Sequence, residues 1–249
     1  MTVLYEKIKV IHFPTEREPF AILDKPRGLP SAPLKEGDPS ALTWALEKFP
    51  EIKNVVGKKK IEYGLVHRID TETRGLLLVA CSQKFYNEII AEQTNGRFIK
   101  SYEAECREVE EKDLADGFTN VSCNVKKILN GLKNHTANEI SVVLSSRFRP
   151  YGIKNKEVRP VIESSGKAAV KKASEKKYST SVMLARTKAG TVEATCSIAE
   201  GYRHQVRCHL AWIGFPVKND RLYDPHASNG EDFSFTAVSL EFLEEKCYL

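Results

Sequence analysis

The stretch Leu65-Val66-His67-Arg68-Ile69-Asp70-Thr71-Glu72-Thr73-Arg74-Gly75-Leu76-Leu77-Leu78-Val79-Ala80 places one acid among basic and small polar residues, directly ahead of a run that is apolar at every position. An unbroken apolar run of this length, opened by a glycine, reads as a strand buried on both faces. A carboxylate delivered to the end of such a strand loses part of its hydration and needs a partner. The residues alone leave two readings of Asp70 open. It is an Asx-turn or N-cap acid organising Thr71–Thr73, or it is a reactive acid held at a strand edge.

Outward from this stretch the pattern alternates between strands and short helices. Upstream, strands are expected at Ile8–Phe13 and Phe20–Leu23, then a rigid turn over Asp24–Pro30, then a helix opened by Asp38-Pro39-Ser40, running through about Phe49 and stopped by Pro50. Downstream, Ser82 caps a helix through about Thr94. The next run, Phe98–Arg107, alternates and puts Phe98, Tyr102, Ala104 and Cys106 on an inner face, which Lys100 shares as an anomaly. Further strands are expected at Asn120–Ile128, Glu139–Leu144, Tyr178–Ala185, Thr191–Ile198 and Thr236–Phe242. Residues 147–177 show little regular pattern and read as a long basic excursion. Between His204 and Ile213 the apolar spacing is helical, with Gly214 at the C′ position and Pro216 beyond. No internal repeat and no strong boundary divides the chain, so the expectation is a single α+β domain over 1–249 with a mixed sheet.

The 249 residues are 41% hydrophobic and 29% charged, the balance of a soluble globular protein. No apolar segment is long enough to span a bilayer. The N-terminus lacks a basic region followed by an apolar stretch and a small-residue cleavage site, so no secretion and a cytoplasmic location are expected. Six scattered cysteines, none in a CxxC pair, support neither a zinc ribbon nor a redox motif and suit a reducing compartment. Between Lys154 and Lys177 stand eight Lys or Arg and three Glu, a local excess equal to the whole chain's formal +5. Such a concentration suits a polyanionic partner, and equally a solvated lysine-rich loop.

A second chemistry-bearing region is Gly201-Tyr202-Arg203-His204-Gln205-Val206-Arg207-Cys208-His209-Leu210. Arg203 and Arg207, four apart, are expected on one helical face near the helix start, where an arginine can pair with a buried acid and bind phosphate, or simply salt-bridge surface acids. His204 and His209 are five apart and share no helical face, which argues against a metal site. His67-Arg68-Ile69-Asp70 carries one residue too many for a kinase catalytic loop, and no phosphate loop, Asp-Phe-Gly, nucleophile elbow or dinucleotide fingerprint accompanies it.

These blocks together resemble RluA-type pseudouridine synthases. The opening stretch is similar to that family's HRLDxxTSGLLLVA motif, with Asp70 at the position of the catalytic aspartate. Lys100-Ser101-Tyr102-Glu103-Ala104 matches its K-x-Y-x-A block. Gly201–Leu210 with Gly214, Pro216, Asp220 and Tyr223 resembles its GRTHQIRVHL segment and the Gly-Asp-Tyr signature after it, and Phe20–Pro30 is similar to its N-terminal strand and turn. Four blocks in the family's order cover most of the chain. The resemblance departs at Arg74, where the family has serine and the arginine is expected to add a positive charge close to the site, and at Tyr202, where it has arginine and Arg203 is expected to take over a phosphate contact. The excursion 147–177 finds no counterpart, and with no S4 domain ahead of the core the chain resembles the family's short forms.

The resemblance implies a mixed, largely antiparallel sheet with flanking helices and loops, and an enzyme that isomerises uridine to pseudouridine in structured RNA, ribosomal or transfer. It implies that Asp70 is the nucleophile on a flipped-out uridine, by attack on C1′ or elimination to a glycal. It further implies that Arg68 fills the space the base leaves, Tyr102 stacks on the uracil, and Arg207 keeps Asp70 ionised through an ion pair. No metal, no cofactor and no membrane are implied, and a monomer is expected. Two other classes stand beside this one: an RNA-binding or RNA-chaperone protein of the same fold without turnover, and a carboxylate hydrolase, for which the second acid, Glu72, matches no motif.

Overall fold

The computed structural model describes residues 2–114, 116–118, 121–228 and 232–249. In chain order they form α1 (Thr2–Tyr5), β1 (Lys9–His12), β2 (Phe20–Lys25), α2 (Ala41–Lys48), β3 (Arg74–Ala80), α3 (Gln83–Thr94) and β4 (Ile99–Cys106). There follow α4 (Cys123–Lys133), β5 (Glu139–Tyr151), β6 (Glu157–Val161), α5 (Lys167–Lys171), β7 (Tyr178–Arg186), β8 (Val192–Ile198), α6 (Gln205–Trp212), β9 (Phe235–Phe242) and β10 (Glu245–Tyr248). The chain divides into two compact units, Met1–Lys100 with Thr236–Leu249, and Ser101–Phe235.

In the first unit β2 lies antiparallel between β1 and β3, β3 pairs in parallel with β9, and β9 pairs antiparallel with β10. Beyond Arg74 every residue of β3 is buried. Leu77 and Val79 pack with Leu42 and Ala45 of α2, while Leu76 and Leu78 pack with Phe85 and Ile89 of α3. Helices on both faces are the reason the strand is apolar at every position. Gly75 sits at φ +123°, and a Cβ there would stand 2.1 Å from the carbonyl oxygen of Ala237. Only glycine lets β9 approach β3 this closely. Ser40 and Ser82 cap α2 and α3 as expected, accepting from Thr43 N and Phe85 N.

In the second unit β7 pairs antiparallel with β5 and β8, β5 pairs antiparallel with β6, and β4 lies beside β8. Burial alternates along β5, β7 and β8, so one face of this sheet is covered. Every residue of α6 is buried, and the side chains of Gln205 and His209 are spent on the sheet. Gln205 Nε2 donates to Ser179 O (2.9 Å) and Thr180 Oγ1 (3.1 Å), while the His209 ring bridges Thr180 Oγ1 (2.8 Å) and Ser146 Oγ (2.9 Å). Burial pulls His209 down to about 3, so the ring is neutral at physiological pH. Gly214, at φ +82°, ends the helix as its position predicts.

The α+β class and the mixed, mostly antiparallel sheet are what the strands form. Two local expectations are corrected. The strand expected over 120–128 is helix from Cys123, capped by Ser122, because Val125, Leu129 and Leu132 recur at helical spacing; Asn120 lies outside the described residues. The excursion 147–177 is not without pattern: it contains the end of β5, all of β6 and α5. Among the described residues no helix is long and apolar enough to cross a membrane.

Candidate active site

The loop that carries Asp70 is fixed through its main chain. Ser31 Oγ donates to Ile69 O (2.7 Å) and accepts from Ile69 N (3.1 Å), holding the residue before the acid at both its polar groups. After the acid, Thr71 O accepts from Gly28 N (2.8 Å) and Lys25 Nζ (3.2 Å), and Glu72 O accepts from Arg27 Nε (3.2 Å). A turn closes from Thr73 N to Asp70 O (3.0 Å), a bond made by main chain and not by the Asp70 carboxylate. The Lys25–Ser31 segment is therefore the cradle of the Asp70 loop, which explains why the two blocks occur together.

Lys25 is fully buried, opposite Gly75 in the β2–β3 register, and its Nζ also donates to Pro26 O (3.0 Å) and Leu29 O (2.7 Å). Three carbonyl acceptors match the three hydrogens of an ammonium. Burial pulls Lys25 down to about 7, against the negative charges of Asp70 and Glu72 that favour its protonated form. His67 accepts from Leu78 N at Nε2 (3.0 Å), which places the proton of the neutral ring on Nδ1; burial pulls this histidine down to about 3. Arg68 is exposed, with a long 3.5 Å contact to Glu62.

Arg74, expected to add a positive charge near the site, is instead bound to the buried carboxylate of Asp24 through Nε (3.2 Å) and Nη2 (2.8 Å). Both residues belong to the first unit, and the pair neutralises the charge the sequence seemed to offer.

The second unit contains the other two predicted residues. Tyr102 is buried on the inner face of β4, as its alternation predicts, and stacks on Phe235 at 5.2 Å between centroids and 10° between planes. Phe235 contacts Phe233 (6.0 Å), whose ring centre lies 5.1 Å from the Arg207 guanidinium. Arg207 forms a two-pronged ion pair with Asp220, Nε to Oδ2 and Nη2 to Oδ1, each 2.7 Å, with both side chains buried. A bidentate fork of this kind fixes the guanidinium in plane as well as in position. Asp220, Phe233 and Phe235 were given no part by sequence reasoning. Asp220 stood in the signature after α6, which was the one signal available for it.

The neighbours of Arg207 do not behave as the spacing suggests. Arg203 lies ahead of α6, not on its face, and its Nη2 donates to the carbonyls of Asn155 and Glu157 (3.0 Å to the latter). It is a main-chain clamp through one nitrogen of its fork, and the side chain stays exposed. Tyr202, half-buried, stacks on Phe148 at 5.0 Å and 9°, packed against a core cluster of the second unit. Among the described residues, no group of three or more His, Cys, Asp or Glu is placed to hold a metal ion.

The sequence model of the family described as RNA pseudouridylate synthase matches residues 19–212. Ribosomal large subunit pseudouridine synthase D of Pseudomonas aeruginosa is 26% identical over 211 residues, covering 84% of this chain and 52% of that protein. The uncharacterized RNA pseudouridine synthase YlyB of Bacillus subtilis is 24% identical over 216 residues, 84% of this chain and 56% of the relative. The tRNA pseudouridine(31) synthase of Saccharomyces cerevisiae is 26% identical over 212 residues, 85% and 46%. The chain thus spans about half the length of the curated relatives it matches. Among solved structures, human RNA Pseudouridylate Synthase Domain Containing 1 superposes with a TM-score of 0.63 at 16% identity, covering 98% of this chain and 83% of the other. Human RNA Pseudouridylate Synthase Domain Containing 4 does so with 0.58 at 16%, covering 99% and 88%. At these identities the superpositions speak for the fold.

Proposed function

From the membership of this chain in the RNA pseudouridylate synthase family, we propose that it isomerises uridine to pseudouridine in ribosomal or transfer RNA, as a cytoplasmic monomer. Asp70 is the nucleophile in this reading. The N1–C1′ bond of a flipped-out uridine breaks, the uracil turns, C5 bonds to C1′, and the C5 hydrogen leaves to solvent while N1 gains a proton. Atoms and electrons balance within the substrate, so the rearrangement calls for no redox partner. Flipping costs about a few kcal/mol, which contacts to the displaced nucleotide must offset. Arg68 takes the space the base leaves, Tyr102 provides the flat platform for uracil, and Arg207 is the cation that keeps the nucleophile ionised.

The observation that carries this reading is the Asp70 loop, held at Ile69, Thr71 and Glu72 by main-chain bonds. Such fixing serves a carboxylate that must meet a reacting carbon in one geometry. The departures at Arg74 and Tyr202 favour a turnover-deficient RNA binder only as long as they lack another role. Each has one, in the Asp24 ion pair and the Phe148 stack.

Asp70→Ala is expected to abolish tritium release from RNA labelled with 5-³H-uridine and to leave RNA affinity within about twofold, since one carboxylate contributes little to phosphate contacts. Release at the wild-type rate from the variant would remove Asp70 as nucleophile.

A further inference from the structure

A buried arginine in the basic excursion has no part in the reaction as described so far. Arg159, in β6, is 1% exposed, and a buried guanidinium costs several kcal/mol unless its donors are met. Here they are met. Nη2 pairs with Glu157 (2.7 Å), Nε donates to Asp116 O (2.9 Å), and Nη1 donates to Val158 O (3.1 Å). Three rings surround the group, with centroids at 4.4 Å (Tyr151), 4.5 Å (Phe118) and 5.8 Å (Tyr223).

The Tyr223 ring is shared. The Arg207 guanidinium lies 5.5 Å from its centroid, so two buried cations address one aromatic ring, each attracted by its π-face. The phenol is tied at both its polar valences. It accepts from Val158 N (3.0 Å), next to Arg159, and bonds His204 Nδ1 (3.1 Å) at the start of α6. Burial pushes the phenol up, so it keeps its proton. A further tie joins strand and helix: Cys208 Sγ donates to Val158 O (3.4 Å), one residue from Arg207. The strand thus grips α6 at His204 and Cys208 and sets the ring against which Arg207 rests.

We infer that Arg159 and Tyr223 are positioning residues, and that β6 of the basic excursion serves the reaction by bracing the Arg207 guanidinium from the side opposite in chemistry to its Asp220 carboxylate. The inference rests on the role proposed above for Arg207. Asp220 holds the fork by its two nitrogens, and the rings of Tyr223 (5.5 Å) and Phe233 (5.1 Å) pack against the guanidinium. An arginine held only for the stability of β6 would need Glu157 and the carbonyls, but not a ring shared with Arg207.

The test is single-turnover tritium release at saturating RNA, normalised to folded protein by circular dichroism, with RNA affinity measured in parallel for Tyr223→Phe, Arg159→Met and Arg159→Lys. Tyr223→Phe keeps the ring and loses both hydroxyl bonds. It is expected to lower the rate per folded molecule about tenfold, a typical magnitude for coupling through packed neighbours, with RNA affinity within about twofold of wild type. Arg159→Lys keeps the charge without the fork and is expected to fall between Arg159→Met and wild type. Should Arg159→Met fail to fold, Tyr223→Phe alone decides. Wild-type rates per folded molecule, with only the melting temperature reduced, overturn the brace. Absence of release from the wild-type protein on ribosomal and transfer RNA alike overturns the proposed function instead.

Discussion

Arg74 shows how a residue's chemistry is settled by its nearest partner and not by its motif. In sequence it adds a positive charge beside the candidate nucleophile. In the fold its guanidinium is committed to Asp24, whose carboxylate is buried next to Lys25. Replacing Arg74 by serine, the residue the family resemblance places there, leaves that carboxylate unpaired. The expected loss is about 2 kcal/mol in urea denaturation, with RNA affinity and its salt dependence unchanged. Combining Arg74→Ser with Asp24→Asn is expected to recover most of the loss, because the buried charge is gone. A weakened RNA complex in the single variant, with stability intact, would restore Arg74 to the RNA-facing role its position suggests.

At the scale of elements, the lysines of the excursion separate into two kinds. All four are exposed, but Lys176 and Lys177 pair with Glu200 and Glu163, the latter at 3.5 Å, whereas Lys171 and Lys172, at the end of α5, form no ion pair among the described residues. Neutralising Lys171 and Lys172 is expected to weaken RNA binding and to flatten the plot of log affinity against log salt by about one for each phosphate that a lysine no longer neutralises. Neutralising Lys176 and Lys177 is expected to change the slope less. Slopes unaltered from wild type in both double variants would show the segment to be plain solvated surface. Much of this architecture was legible in the sequence. The apolar run of β3, the alternation of β4 and the spacing of α6 each follow from burying one face or both. β6 was not legible, because Glu157-Val158-Arg159-Pro160-Val161 puts a charge where a strand pattern wants an apolar residue, and the rings that solvate that charge come from residues far off in the chain. The Arg207–Asp220 pair was hidden for another reason, since a carboxylate in a turn announces no partner.

For the whole molecule the buried histidines set a direction for stability against pH. His209 is pulled from an ordinary 6.5 to about 3, so the unfolded chain takes up a proton below about pH 6.5 that the fold refuses. Its contribution is fully present above pH 6.5 and is lost as pH falls toward 3, at up to about 1.4 kcal/mol per pH unit. His67, partly open to solvent, acts in the same sense. Denaturation at pH 7.5, 6 and 5 is expected to show wild type weakening more steeply than His209→Gln, which has no proton to gain. Parallel slopes for the two proteins would mean that His209 titrates normally.

The parallel pairing of β3 with β9 has a consequence for the order in which the molecule can be made. Gly75 is shaped to receive the backbone of Ala237, yet 162 positions of polypeptide separate them, with the whole of the second unit threaded in between. During translation the strand beside Asp70 waits with one edge unpaired until residues 236–242 leave the ribosome. Ser101–Phe235 can collect its own contacts while it emerges; the half that carries Asp70 is the first to be synthesised and the last to be closed. A nascent or truncated chain is therefore kept from holding Asp70 in finished surroundings.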